Sequence, residues 1–464
     1  MRTGIDLSAL QSPHKMRGIG SALINFVNNI PLQDRKNNFF VFFMFQCSDH
    51  DNPLIDLNLK DLDFEVRYFN ESIVTNKTPV NSGGLFYFLK RVKRLVGRKS
   101  KKIISCVPKK LCKLFTANLK LVKNIVYILR PYDPLIKHVK TNDLDIFIEF
   151  DPDKKVTNTK IKYACMLHDI IPYVLEWDYL LSYKTARKKS YSRKSSINKH
   201  VHRLLYIKKI RMNACRSEIL LSNSNTTKND FVKYAGIKEN RITVTHLGIN
   251  ESSLNANKTV PLHCYMDTAW GIIKKDLLIE KNTMFLLYVG GVDTRRKLED
   301  LIVAFNMLRA QKYKVKLILA GDIMYSPGTI TNKKLSESLK SSSYLKDIIF
   351  MGFINNKQRD WLYKNALAFV FPSRYEGFGL PILEAMIQKC PVIGYPNKAA
   401  KEIATDNILY ARSPADIYSS VINLIKLSDA EKKEITEKGF VQAQKYNWSK
   451  TAHHIINTIE KSLT

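Results

Sequence analysis

Residues 368–395, AFVFPSRYEGFGLPILEAMIQKCPVIGY, limit the possible fold more than any other part of the chain. An apolar run, Ala368 to Phe371, leads into a Pro-Ser turn, a glycine-rich loop and a helical segment. Strand, loop, helix is the order in which α/β proteins place ligands at the carboxyl ends of strands. Pro381 suits the first helical position, because it lacks an N–H that would find no helical partner there. Gly377 and Gly379 let the backbone approach a ligand closely. The free N–H groups of the helix start would then face an anion, with phosphate the natural choice. Glu376 stands in the loop and Glu384 about one turn into the helix. Both carboxylates would repel a phosphate, so they read as acceptors for neutral hydroxyls, those of a sugar and a ribose.

Similar strand-to-loop steps recur along the chain. Met1 to Asp6, Phe39 to Phe45, residues 144–150, Lys162 to Leu167, residues 219–226 and Ile242 to Leu247 carry short apolar runs of strand length. Met284 to Val289, Val315 to Ala320, Ile348 to Phe353 and Val392-Ile393 do the same further on. Helical spacing separates them, as in Leu298, Leu301, Ile302 and Phe305. This alternation predicts two doubly wound α/β domains facing across a cleft. The length of 464 residues also favours two domains. The boundaries expected are 1–250 for the first domain, 251–280 for a linker, 281–445 for the second domain, and a last helix over 446–464. Ser413 and Pro414 are placed to cap and open a helix reaching Leu427.

Three loops carry candidate chemistry. After the first strand comes Arg17-Gly18-Ile19-Gly20-Ser21, a weak phosphate-loop signal centred on Gly18 and Gly20. His168-Asp169 follows the strand at Lys162 to Leu167, where α/β sites collect polar groups. Gly290-Gly291-Val292-Asp293-Thr294-Arg295-Arg296-Lys297 places three adjacent cations after two glycines. Cations at a helix start are electrostatically unfavourable in themselves. A pyrophosphate would repay them, since hydrogen bonds from charged donors contribute about 1.5–3 kcal/mol each.

The formal net charge is +32. No Asp or Glu occurs between Glu71 and Asp133 or between Asp178 and Glu218. A polyanionic partner follows, whether nucleic acid, anionic membrane or pyrophosphate-linked substrate. Over residues 72–132 cations alternate with apolar groups such as Leu85, Phe86 and Leu89, the pattern of a segment lying on anionic lipid. No apolar run approaches the roughly 18 residues of a membrane span. No signal-peptide core opens the chain, so a cytoplasmic protein is expected, held peripherally at the inner face of the plasma membrane. The seven cysteines are scattered without paired CxxC spacing, which argues for free thiols and against zinc. No RRM, KH or zinc-finger pattern supports a nucleic-acid partner.

The glycine-rich stretch with two glutamates separated by seven residues resembles the signature of the family 4 retaining glycosyltransferases. RGIG, HDIIP, GGVDTRRK and EGFGLPILE stand in that family's order, and the likeness covers nearly the whole chain, most weakly over 50–140. The GID start and the GG-x-D segment are similar to the bacterial polysaccharide mannosyltransferase-like branch. The resemblance implies the GT-B architecture and a last helix crossing back to the first domain. It implies transfer of a hexose, mannose favoured, from a nucleotide-diphosphate sugar such as GDP-mannose. The acceptor implied is a glycan or lipid-pyrophosphate-linked glycan of surface polysaccharide (O-antigen, capsule or exopolysaccharide) assembly. Glu376 would hold donor-sugar hydroxyls, Glu384 the ribose, and His168 would line the sugar side. Gly18 and Gly20 would approach the donor phosphates from the first domain. Gly291, Arg295, Arg296, Lys297 and the backbone around Phe378, Gly379 and Leu380 would hold the diphosphate, and Gly352 and Phe353 would contact the base. Many relatives carry Arg where Gly291 stands, which leaves the choice among Arg295, Arg296 and Lys297 open; Arg296 is favoured. No cofactor and no metal ligands are expected, with the positive charges taking the place of a divalent ion. A sugar-nucleotide hydrolase or epimerase on the same fold, and a non-enzymatic polyanion binder, are the alternatives.

Overall fold

Runs such as Phe39–Phe45 and Met284–Val289 are apolar at every position, as strands covered on both faces must be. They become the centres of two sheets in a computed structural model that describes residues 1–11, 18–45, 47, 52–69, 143–150, 161–176, 178–181, 183–190, 192–249, 262–268, 271–277, 283–321 and 332–464. The basic stretch 72–132, and the membrane reading attached to it, lie outside these residues.

The first sheet holds β1 (Arg2–Asp6), β2 (Phe39–Phe45), β3 (Asp63–Phe69), β4 (Ile146–Glu149), β5 (Lys162–Leu167), β6 (Ile219–Ser222) and β7 (Ile242–Val244). Its order is β3-β2-β1-β4-β5-β6-β7, with every pairing parallel. The second sheet holds β8 (Leu262–Thr268), β9 (Gly271–Leu277), β10 (Met284–Val289), β11 (Val315–Ala320), β12 (Ile348–Gly352), β13 (Ala368–Phe371), β14 (Val392–Gly394) and β15 (Leu409–Tyr410). Its order is β15-β14-β13-β10-β11-β12-β8-β9. Here the pairings are parallel from β15 to β12, whereas β8 joins β12 and β9 antiparallel. The chain thus forms two Rossmann-like lobes.

Two expectations need correcting. The stretch 251–280 is not wholly a linker, because β8 and β9 add two strands to the edge of the second sheet. Their sequences, LHCYMDT and GIIKKDL, lack the continuous apolar run that marks a central strand, so they read as irregular. Gly18 and Gly20 do not lie in a loop but in the first turn of a helix, Gly18–Asn28. That helix buries Ala22, Leu23, Phe26 and Val27 against the first sheet. Burying each large apolar side chain contributes about 1.5–3 kcal/mol.

The lobes are tied by two adjacent crossings of the chain. Ile249 pairs with Asn447, and its N–H donates to Tyr446 O at 3.1 Å. A Cβ on Gly248 would stand 2.2 Å from the Trp448 nitrogen, so only glycine permits this approach. Beyond it, helix Trp448–Leu463 is capped by the Asn447 side chain and buries Trp448, Ala452, Ile455, Ile456 and Ile459. This last helix packs on helix Gly18–Asn28 of the first lobe. His453 Nδ1 lies 2.8 Å from Asp34 Oδ2, and Asn38 Nδ2 donates to Glu460 Oε1 at 3.3 Å.

Candidate functional site

In the second sheet strand order reverses at β10, which lies between β11 and β13. Such a reversal opens a crevice outside the carboxyl ends of the diverging strands. The chain leaves β10 through Gly290 to Lys297 and leaves β13 through Pro372 to Gly379, so both loops border that crevice. Arg374 N–H donates to Arg295 O at 2.9 Å and ties them together.

Between the loops the charged side chains converge on Glu376. Arg295 Nη1 donates to Glu376 Oε1 at 2.6 Å, Ser373 Oγ donates to the same oxygen at 2.7 Å, and Arg296 Nη2 stands 3.7 Å away. The Glu376 side chain is 10% exposed. Burial works to raise its pKa, but Arg296, Arg295 and the Ser373 hydrogen bond outweigh it and hold the carboxyl below its usual range. Burial likewise works to lower the pKa of both guanidiniums, but Glu376, joined by Tyr179, Asp293 and Asp169 at Arg295 and by Tyr288 at Arg296, more than restores it. A buried pair of this kind gains little net stability, because desolvation offsets the attraction.

The guanidiniums differ in what else they touch. Arg295 Nη1 also donates to Tyr375 O at 3.3 Å. Arg296 sits 5.2 Å from the Phe371 ring centroid, and its Nε and Nη1 are buried without an acceptor. Unpaired buried donors are rare in folded chains and ask for an explanation. The glycines before them make the space. A Cβ on Gly290, whose φ is +151°, would meet Arg296 Nη1 at 2.6 Å, whereas one on Gly291 would find nothing within 4 Å. Burial pushes the neighbouring Tyr288 hydroxyl up to about 12, and it donates to Gly291 O at 2.7 Å. Lys297 turns away from the pair. It adopts a left-handed backbone with φ +50° and places Nζ 3.4 Å from Glu299 Oε1.

The first lobe meets this loop at His168. A Cβ on Gly377 would lie 2.5 Å from His168 O, so glycine is required for the lobes to touch here. The His168 ring is buried, with Nε2 2.8 Å from Phe150 O. Asp169 Oδ1 accepts from Ile171 N–H at 3.0 Å, and burial raises its pKa while Arg295 opposes the rise. Tyr179, raised to about 12 by burial, also lies beside Arg295. Gly377 O accepts from Ser224 Oγ and from Thr227 Oγ1 of the first lobe.

Gly379 has φ +107° and opens helix Leu380–Ile387, a backbone that suits glycine. Phe378 turns its ring toward the lobe crossing, 6.1 Å from His246 and 5.9 Å from Tyr446 between ring centroids. Glu384 is not drawn into the Glu376 cluster through any described side-chain contact. Its Oε1 accepts from Arg359 Nη1 at 2.9 Å and its Oε2 from Tyr363 OH at 3.4 Å. Phe353 is 53% exposed just past β12.

A second acid, the partly buried Glu402 on helix Lys398–Ala404, joins the lobes elsewhere. Its Oε1 accepts from Asn225 N–H at 2.7 Å and its Oε2 from Thr226 N–H at 2.9 Å, with His246 Nε2 2.8 Å from Oε1. Burial acts to raise its pKa, but His246 and the two backbone N–H groups bring it down to about 2. Ser373, Tyr179, Tyr288, Thr227 and Asp230 were not singled out from the sequence, since isolated polar residues in loops, a strand (Tyr288) or a helix (Thr227, Asp230) carry no local mark of a site.

The β10 and β13 loops, their glycines and their cations match a known family model. Residues 271–442 match the family model described as glycosyl transferases group 1. The chain is similar to O-antigen chain mannosyltransferase B of Escherichia coli, 25% identical over 52% of this chain and 60% of that protein. A serotype-specific mannosyltransferase WbdA of Escherichia coli is 24% identical over 66% of this chain and 34% of its own length. The chain therefore spans about a third to three fifths of these relatives. Among solved structures, Anabaena Alr3699/HepE in complex with UDP-glucose superposes with a TM-score of 0.55 at 14% identity, covering 99% of each chain. WaaG, a glycosyltransferase involved in lipopolysaccharide biosynthesis, also gives 0.55, at 12% identity over 99% of each chain. The fold around the group 1 domain is GT-B.

Proposed function

We propose that the chain is a retaining glycosyltransferase that moves a hexose, mannose favoured, from a nucleotide-diphosphate sugar to a glycan or lipid-linked glycan acceptor of bacterial surface polysaccharide. The observation that carries this reading is the buried meeting of Glu376 with Arg295 and Arg296 at the switch point of the second sheet. Before donor binds, acid and cations neutralise each other. An incoming diphosphate offers the guanidiniums a better partner and supplies the acceptor that Arg296 Nε and Nη1 lack. Glu376 is then released to accept hydrogen bonds from sugar hydroxyls. As the anomeric C–O bond breaks, charge grows on the diphosphate, and Arg296 with the Phe378–Leu380 backbone stabilises it. The acceptor oxygen bonds the anomeric carbon from the face being vacated, and its proton passes to the departing phosphate. Mannose and the polysaccharide acceptor are favoured by the named activities of the Escherichia coli relatives. The Arg359 pairing of Glu384 is compatible with a ribose role in which the salt bridge holds the acid in place.

A thermal-shift panel of GDP-, UDP- and ADP-sugars tests the donor. GDP-mannose is expected to raise the melting temperature most, and a flat response to all of them sinks the reading. NMR of the product reports the mechanism, with an α-linked donor giving an α-linked product; a β-linked product rules out retention. Release of free sugar at the same rate with and without acceptor would favour the hydrolase alternative.

A further inference from the structure

The candidate acid follows two residues, and precedes a third, that grip the opposite lobe. Arg374 Nη2 donates to Asp178 Oδ2, and Tyr375 OH donates to Asp230 Oδ2. On the other side Gly377 O accepts from Ser224 and Thr227. Residues 374, 375 and 377 thus reach into the first lobe, while Glu376 alone in this run points back to Arg295 and Ser373. The contacts differ in strength. Arg374 is 40% exposed, so its ion pair is screened and weak. Asp230 is buried, and there a hydrogen bond left unmade costs more.

We infer that Tyr375 and Asp230 are positioning residues, through which the closing of the two lobes sets the place of the Glu376 carboxylate. The inference rests on the proposed donor role of Glu376. Geometry supplies the linkage. Tyr375 is the covalent neighbour of Glu376, and its carbonyl accepts from both Arg295 Nη1 and Ser373 Oγ, the same two groups that hold the carboxylate. A shift of Tyr375 therefore moves the acid and both of its partners together. When the lobes part, the Asp230 bond is lost and the acid is free to wander; when they close, one hydroxyl fixes it.

Two measurements on the full chain test this. Hydrogen exchange of the amides at 374–379 should quicken in Tyr375→Phe and in Asp230→Ala while the β10 amides stay protected. Asp230→Asn, which keeps an acceptor oxygen, should restore the slow exchange. Unchanged exchange in Tyr375→Phe overturns the inference whatever the enzyme's activity. The second measurement is kinetic, with GDP-mannose as donor. Losing this one hydrogen bond predicts about a fivefold fall in kcat for Tyr375→Phe with GDP affinity held constant. The Tyr375→Phe, Asp230→Ala double variant should fall no further than either single one. A parallel loss of GDP affinity, or additive losses in the double variant, would reduce the pair to a structural role. Quickened exchange in a wild-type background that neither binds GDP nor uses GDP-mannose would keep the brace and refute the donor reading instead.

Discussion

Glu376 and Glu402 are both largely shielded carboxylates of the second lobe, with side chains 10% and 15% exposed, yet they are held by opposite means. Glu376 is surrounded by side-chain donors, two guanidiniums and a hydroxyl. Glu402 is held by two backbone N–H groups of the first lobe together with Thr226 Oγ1 and His246. Side chains can swing to a new partner, whereas backbone amides at a helix start cannot leave without unwinding it. The first arrangement suits exchange with a ligand and the second suits permanent joining. Burial alone does not separate a working acid from an assembling one; the kind of donor does.

The sharpest way to break this contrast is Glu376→Gln. Turnover should drop by about a hundredfold or more, the scale seen when a transition-state contact is lost. Its unfolding midpoint should also fall, because losing one partner leaves the Arg295 and Arg296 charges buried and uncompensated at a cost of about 3–5 kcal/mol, so turnover is read per folded molecule. Wild-type kinetics in this variant would end the assigned role. Next is Arg296→Ala, which should weaken GDP binding by about tenfold or more, one or two charged hydrogen bonds' worth, as read by calorimetry. Equal GDP affinity would hand the diphosphate to Arg295 or Lys297.

Glu402→Gln should instead leave turnover per folded molecule intact and lower stability by about 1–3 kcal/mol in denaturant unfolding. It also carries a pH signature. Its folded pKa, about 2, lies below the ordinary 4.5, so its contribution is full above about 4.5 and is lost as pH falls from there toward 2. Stability measured between pH 6 and 2 should fall less steeply in Glu402→Gln than in the wild type. The mildest test is Gly291→Ala. With nothing within 4 Å of the added carbon, stability should change by less than about 0.5 kcal/mol. Any loss of GDP affinity in that variant would place the ligand over Gly291.

Much of this was readable in the residues. Lys162–Leu167, Met284–Val289, Val315–Ala320 and Ala368–Phe371 occupy the strands their apolar runs announce, because a strand covered on both faces leaves no room for alternation. Ser413 caps helix Pro414–Lys426 through Asp416 N–H, as its type and place suggest. That Glu376 and the Arg295-Arg296 pair would share one site was implied by the family resemblance; the side-by-side placing of their strands, β10 and β13, came from the fold. The sequence was silent where contacts join distant segments. Asp230 and Tyr375 lie 145 residues apart, and nothing local marks either. Gly18 and Gly20 lie in the first turn of a helix rather than in the loop expected, since Gly-x-Gly is as compatible with a close-packed helix start as with a loop.

The last helix has a consequence for how the molecule comes into being. Helix Gly18–Asn28 leaves the ribosome well before part of its cover, helix Trp448–Leu463, which is made hundreds of residues later. During synthesis the first lobe must wait, partly bare, through the whole translation of the second. Its apolar flank is then a natural target for chaperones, and the finishing of the earlier lobe becomes a signal that the later one is complete.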